Sequence, residues 1–220
     1  MAPGAGDEGA VERLQGAPAK GEGFGEYWRA AATVIDWSQD SVAELTRRDG
    51  LPAGTPRRPR FQNRDYYFLP GLTYSVVSSG RVSVRLLPEG WIFGHKGSAV
   101  FVEDDTTSEQ FLLGYLNSTL ATYFMKRLVN TTATADVGYL EKLPYRRPTA
   151  DVEQAVVHRV DKLVAGLHLN PDADVEWLRD EIDDVIFDLF EIGPQSRELV
   201  RHFYRTVGRV EAEDDQATSE

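Results

Sequence analysis

The sequence contains no cysteine, and that one absence excludes disulfides, thiolate metal sites and cysteine nucleophiles. Histidine is nearly as scarce: His95, His158, His168 and His202 show no metal-ligand spacing. No run approaches the roughly 18 consecutive apolar residues that a membrane-spanning helix needs. The N-terminus offers neither the basic stretch nor the apolar segment of a secretory signal. The chain therefore reads as cytoplasmic, with no membrane and no metal as partner. Lysine is also rare, with 5 against 19 arginines, and 35 acidic residues outnumber the 24 basic ones. A salt-adapted or high-GC genome produces this balance, and simple codon bias explains it equally well.

What is present is enough for a globular fold. Across 220 residues, 41% are hydrophobic and 10% aromatic, which supports one good core with a helical appendage beside it. The net charge of −11 at first argues against a nucleic-acid partner, because phosphate binding rests on Lys and Arg. Its distribution changes the reading. From Asp151 to Glu220 there are 18 acidic and 7 basic side chains, so residues 1 to 150 are neutral with 17 of each. Within that neutral part, Arg47, Arg48, Arg57, Arg58, Arg60 and Arg64 face only Asp49 as a counter-charge. One end of the chain is suited to phosphate and the other to something else.

The pattern divides the chain into four stretches. Residues 1–22, rich in Gly, Ala, Pro and Glu, are expected to be a disordered leader. Residues 23–148 form the main unit, 149–208 a helical arm, and 209–220 an acidic disordered tail. In the main unit, Glu26 to Trp37 opens β-rich, and Ser38 caps a short helix to Arg48. Residues 50–59, with three prolines and two glycines, form a loop. Strand-like runs 72–79, 81–87, 90–94 and 98–103 then suggest a compact antiparallel meander. In 81–87 the alternation puts Val82, Val84 and Leu86 on one face and Arg81, Ser83 and Arg85 on the other. Thr106 with Glu109 resembles a capping box, and Leu113, Leu116, Leu120, Phe124 and Leu128 continue as one buried helix. Helices follow over 151–167, over the seam Val175, Leu178, Ile182, Val185 and Leu189, and over 195–207. The expected fold is α+β: a small antiparallel β-rich core, a long buried helix and C-terminal helical arms.

The search for a catalytic apparatus is negative. Transfer from S-adenosylmethionine to adenine needs a glycine-rich turn after a strand and an Asn/Asp-Pro-Pro-aromatic loop. Gly23-Phe24-Gly25 has no preceding strand, and Asn170-Pro171-Asp172-Ala173 lacks the second proline and the aromatic. A metal nuclease would need a carboxylate and then Glu-x-Lys, but Glu141 and Lys142 are adjacent, so alternate strand positions cannot present both inward. Ser78-Ser79-Gly80 is no nucleophile elbow. No catalytic residue and no cofactor are expected in this chain.

What remains is suited to DNA: Arg57, Arg58, Arg60, Asn63, Arg64, Tyr66 and Tyr67, then Ser79, Arg81, Ser83, Arg85 and Lys96. Arg binds guanine and Asn binds adenine in bidentate fashion, while hydroxyls and further cations hold phosphates. Solvated loop arginines beside core tyrosines are the bland alternative.

Two blocks then carry a family resemblance. The run FQNRDYYFLPGLTYSVVSSGRVSVRLLPEGWIFGHKGSAVFVE, followed by FLLGYLNSTLATYFMKRLVNTTATADVGYLEKLPY, resembles the region after the catalytic domain in BREX-type (PglX-like) adenine-specific DNA methyltransferases. Related segments occur in restriction enzymes with fused modification and specificity domains. The first block rests on Asp65, Tyr66, Tyr67, Phe68, Gly71, Thr73, Ser75, Ser79, Gly80, Arg85, Gly90, Ile92 and Phe93. The second rests on Leu112, Leu113, Gly114, Leu116, Asn117, Ser118, Asn130, Thr132, Gly138 and Pro144. The resemblance covers about Val34 to Pro148. It implies a target-recognition module for double-stranded DNA, with S-adenosylmethionine and a catalytic domain or subunit belonging to the parent enzyme. The chain is then expected to be inactive alone. The seam Val175, Leu178, Ile182, Val185 and Leu189 has too few heptads to be stable alone and is expected to pack on the chain's own core or to dock on that partner. The rival reading is an acidic protein-binding adaptor or a DNA-mimic antirestriction factor, which the acidic C-terminal part favours and the two blocks do not.

Overall fold

The computed structural model describes residues 14–15, 26–30, 34–56, 58–59, 61–75, 81–94, 97–103, 106–129 and 137–217. In chain order they form β1 (Leu14–Gln15), β2 (Val34–Ile35), α1 (Gln39–Asp49), a 3-10 turn (Arg64–Tyr66), β3 (Gly71–Ser75), β4 (Val84–Leu87) and β5 (Gly97–Val100). The helices α2 (Glu109–Leu116), α3 (Thr119–Phe124) with a π-helical turn (Met125–Val129), α4 (Val137–Leu140), α5 (Ala150–Leu169), α6 (Glu176–Leu189) and α7 (Pro194–Ala217) follow. The fold class is α+β, as the pattern predicts. β1 pairs antiparallel with β2, so a short strand stands inside the stretch expected to be an unstructured leader. The rest of 1–22 lies outside the described residues.

The sheet order corrects the expected meander. β3 is central, with β4 on one side and β5 on the other, both antiparallel. Leu72 faces Leu86 and Val100, while Tyr74 faces Val84 and Ser98. The segment 90–94 is a turn with isolated bridges instead of a strand. Gly90, at φ 82°, makes the turn after Pro88, a conformation that a side chain would strain. The chain can thus cross β3 and return on its far edge.

The outer edge of β4 is not left open. The Tyr27 amide donates to the Val84 carbonyl at 2.7 Å, and the Leu86 amide donates to the Tyr27 carbonyl at 3.0 Å. The Asn117 side chain completes the pairing: its Oδ1 accepts from the Val84 amide at 2.9 Å and its Nδ2 donates to the Val84 carbonyl at 2.8 Å. A buried backbone needs such partners, because an unmet polar group costs about 1–3 kcal/mol.

Asn117 also interrupts the helix expected to run unbroken to Leu128. α2 ends there, and Ser118 caps α3 by accepting from the Ala121 amide at 3.1 Å. The start of α2 is likewise set by Ser108, whose hydroxyl accepts from the Phe111 amide at 3.2 Å, instead of by a Thr106–Glu109 box. Ser38 does cap α1, as its position suggests. At the far end α7 continues to Ala217, ten residues past the expected stop and through most of the presumed tail.

The larger of two hydrophobic clusters among the described residues joins the sheet to the helices, and Leu87 and Trp91 form a smaller one. Leu72, Val84, Leu113, Val160 and Ile182, from β3, β4, α2, α5 and α6, are buried in the same cluster. It continues without a break across position 149, where the helical arm was expected to begin. Each such side chain contributes roughly 1.5–3 kcal/mol as an upper estimate. α2 and α5 approach so closely at Gly114 that a Cβ there would lie 2.7 Å from Val156 Cγ1.

Candidate nucleic-acid interface

The basic stretch begins where α1 ends. Three prolines, Pro52, Pro56 and Pro59, keep the following chain out of regular structure, and it folds back onto the last residue of α1. The Arg58 Nε donates to the Asp49 carbonyl at 2.8 Å. The Phe61 amide donates to the Asp49 carboxylate at 3.3 Å. The guanidinium groups of Arg58 and Arg64 lie 3.8 and 3.7 Å from that carboxylate. Arg64 also donates to the Phe61 carbonyl at 3.1 Å and lies over the Phe61 ring at 3.9 Å.

Beneath this lies an aromatic floor. Phe61 is buried and meets Trp37 at 5.7 Å, which in turn meets Tyr67 and Phe68 edge-on. Tyr67 is half-buried, and burial raises its phenol above its ordinary value against the opposing Arg64 charge. Tyr66 stays exposed, its ring 4.9 Å from Phe101 and its hydroxyl donating to Glu103 at 3.3 Å. Asn63 is exposed and holds a left-handed backbone at φ 56°, which Asn tolerates better than most residues. Arg58, Asn63, Arg64 and Tyr66 are therefore open to solvent within one short stretch.

The strand candidates are placed differently. Ser83 is 2% and Arg85 5% exposed, beside the equally buried Val82 and Val84. The alternation thus separates two packed faces: Val82 and Val84 pack with the helices, and on the side of Ser83 and Arg85 the next alternate residue, Leu87, is buried with Trp91, Phe93, Ala99 and Phe101, so neither Ser83 nor Arg85 is offered to solvent. Burial, helped by the Arg29 charge, lowers the Arg85 guanidinium below its ordinary value. Arg81 points inward as well: it donates to the Tyr204 hydroxyl at 2.8 Å and lies 4.0 Å from Glu26. Arg57, Arg60, Ser79 and Lys96 lie outside the described residues.

Of the two expected fates of the seam, own core or partner, the structure shows the first. Val175, Leu178 and Ile182 are buried in the core, and Val185 and Leu189 pack against it. The apolar stripe of α6 is used up on α2, α3 and α5, which two heptads joined by short connections allow without a second protein.

The residues that the sequence reading missed are acids. The Glu26 side chain is wholly buried, paired with Arg179 and approached by Arg81 and by the Tyr204 hydroxyl at 3.4 Å. It ties the N-terminal segment to Arg81 ahead of β4, to α6 and to α7. Asp183, 4% exposed, accepts from the Thr119 amide at 2.9 Å, and burial pushes it up to about 7. Asp183 lines a polar cleft of about 250 Å³ together with Asn117, Thr119, Arg179, Arg201 and Tyr204 among others. An acid one turn from Phe187 and Arg179 on the buried row of α6 is the signal that marks Asp183. Asp49 carries one too, as the lone acid among arginines.

No family model matches the chain. It is 31% identical over 125 residues to the adenine-specific methyltransferase PglX of Lacticaseibacillus casei (strain Zhang), covering 57% of this chain and 10% of that protein. It is 30% identical over 127 residues to the adenine-specific methyltransferase BrxX of Escherichia coli O9:H4 (strain HS), with the same coverage. Among solved structures, the Type IIL restriction-modification enzyme MmeI in complex with DNA superposes with a TM-score of 0.49 at 12% identity, over 64% of this chain and 21% of that one. The chain spans about a tenth of the length of these curated relatives, and over more than half of its own length it is similar to the PglX-like adenine-specific methyltransferases.

Proposed function

We propose that this chain is the DNA-recognition part of an adenine-specific methyltransferase, and that its DNA face is the loop from the end of α1 to the 3-10 turn. The observation that carries the proposal is the division among the candidate side chains. Arg58, Asn63, Arg64 and Tyr66 are solvent-open on an aromatic floor, whereas Ser83 and Arg85 of the strand are buried. Guanidinium and amide groups held at a surface over packed rings are what phosphate and base edges require. The similarity to adenine-specific methyltransferases supports DNA as the polymer that the parent enzyme acts on. Neither a cofactor turn nor an adenine clamp occurs in these 220 residues, so recognition, not methyl transfer, is the role assigned here.

The test is the affinity of the purified chain for random-sequence duplex across a salt series. Each phosphate contact contributes nearly one unit to the slope of log affinity against log salt. The double variant Arg58→Ala, Arg64→Ala should weaken binding on every duplex and flatten the slope by about two units. An unchanged slope would remove this loop as the DNA face.

The rival reading, an acidic adaptor, has its own support in the exposed Asp161, Asp172, Asp180, Glu181, Asp184 and Asp188 of α5, α6 and their connection. It accounts for the helices and leaves the arginine loop without a role.

A further inference from the structure

We propose that Asp49 is the positioning residue of the DNA face: its carboxylate holds Arg58, Arg64 and the Phe61 amide in one arrangement, and this gives the loop its sequence discrimination. The inference rests on the DNA reading above and goes beyond it, because simple charge counting assigns Asp49 the opposite effect. It is the only acid between Leu45 and Arg64, in a stretch with six arginines. A loop selected only for attraction to phosphate would do better without it.

Asp49 is also poorly placed for its own helix. It is the last residue of α1, where the helix dipole disfavours a negative charge. Its contacts outweigh that. The carboxylate accepts from the Phe61 amide and draws Arg58 and Arg64 to within 4 Å, while its carbonyl accepts from Arg58 Nε. Phe61 is fixed in turn by Trp37 and Tyr67, so the arginines are referred to the aromatic floor and not to the loop alone. Long side chains that hang free contact any phosphate. Side chains held in one geometry before binding can favour one base edge over another, and lose less freedom in doing so.

Selection from a duplex pool with a randomised segment, using the full chain, separates charge from position. Wild type should enrich a motif. Asp49→Asn, which removes one negative charge and keeps the shape, should bind the unselected pool at least as tightly as wild type, yet its selected-to-pool affinity ratio should fall about tenfold. Asp49→Glu should recover part of that ratio. Without DNA, hydrogen exchange at the Phe61 amide should accelerate in the Asn variant while the melting temperature holds. An unchanged ratio in Asp49→Asn overturns the positioning role and leaves the DNA face standing. A parallel loss of pool affinity and of the ratio marks general damage to the loop and also overturns it. A wild-type chain that enriches nothing overturns the DNA reading and this inference with it.

Discussion

Asp183 shows how a single buried group sets the response of the protein to pH. Burial raises its carboxyl to about 7, and this outweighs the Thr119 hydrogen bonds and the Arg201 charge that favour the ionised form. The folded state therefore holds this proton over a range where the unfolded chain has released it. The stability it contributes is fully present below the ordinary aspartate range and is lost as pH rises towards 7, with no further change above. Other charged groups face the same cleft, namely Asp180, Glu176, Arg179, Arg201, Arg205 and the tyrosines Tyr27 and Tyr204, so the contribution is best read as a difference between variants. Asp183→Asn keeps an oxygen to accept from the Thr119 amide and carries no charge. It should melt close to wild type near pH 4.5 and a few degrees higher at pH 8, with the gap opening between. Melting curves of the two proteins that stay parallel across that range would show that Asp183 is ionised in the fold.

At the scale of elements, the decisive feature is the break at Asn117. Its side chain pairs with both backbone groups of Val84 while the next residue caps α3, so one position ends a helix, begins another and seals a sheet edge. Asn117→Ala should leave the Val84 amide without a partner and lower stability by about 1–3 kcal/mol, measured by denaturant unfolding. Asn117→Asp keeps an acceptor but buries a carboxyl group with an oxygen against the Val84 carbonyl, and should cost at least as much as Asn117→Ala near neutral pH. A cost within error would mean that the edge is sealed by Tyr27 alone. This break also shows why part of the fold is hidden from sequence. Leu113, Leu116, Leu120 and Phe124 keep a helical period straight through Asn117 and Ser118, so local pattern predicts one helix, and only contact with a strand 33 residues away stops it. The cap at Ser38, the length of α5 and the apolar row of α6 were legible because they depend on neighbouring residues. The central position of β3 was not, since it depends on where 97–100 returns. The candidate site divides the same way: the arginine surplus is visible as composition, but the burial of Arg85 and the gathering role of Asp49 exist only once α1, the loop and the sheet are brought together.

At the scale of the whole molecule, charge is segregated while packing is not. The whole excess of −11 lies beyond residue 150, yet α5 and α6 share one core with the neutral sheet. Salt should therefore act on the two properties of the chain in opposite directions. Between α6 and its neighbours, Arg159 pairs with Glu181 at 2.9 Å, Arg201 with Asp184 at 2.6 Å and Arg197 approaches Asp184 at 4.0 Å. Such pairs contribute little where solvent reaches them, typically under about 1 kcal/mol. The exposed acids in excess of these arginines, among them Asp161, Asp172, Asp174, Asp180 and Glu198, repel one another over distances that salt controls. The screening length falls from about 30 Å at 0.01 M to about 8 Å at 0.15 M. That relieves most of the repulsion along the helices and leaves short ion pairs much less affected. Raising sodium chloride from 0.01 to 0.3 M should therefore raise the melting temperature, with most of the gain by 0.15 M, while duplex affinity falls over the same interval because counterion release disfavours phosphate contacts. Replacing Asp161, Asp172 and Asp174 together by asparagine should flatten the first dependence and leave the salt slope of duplex binding as it was, since these residues lie outside the loop proposed to meet DNA. A melting temperature that falls with added salt would mean that the ion pairs joining α5, α6 and α7 outweigh the repulsion. The acidic helices would then be held together by their charges instead of strained by them.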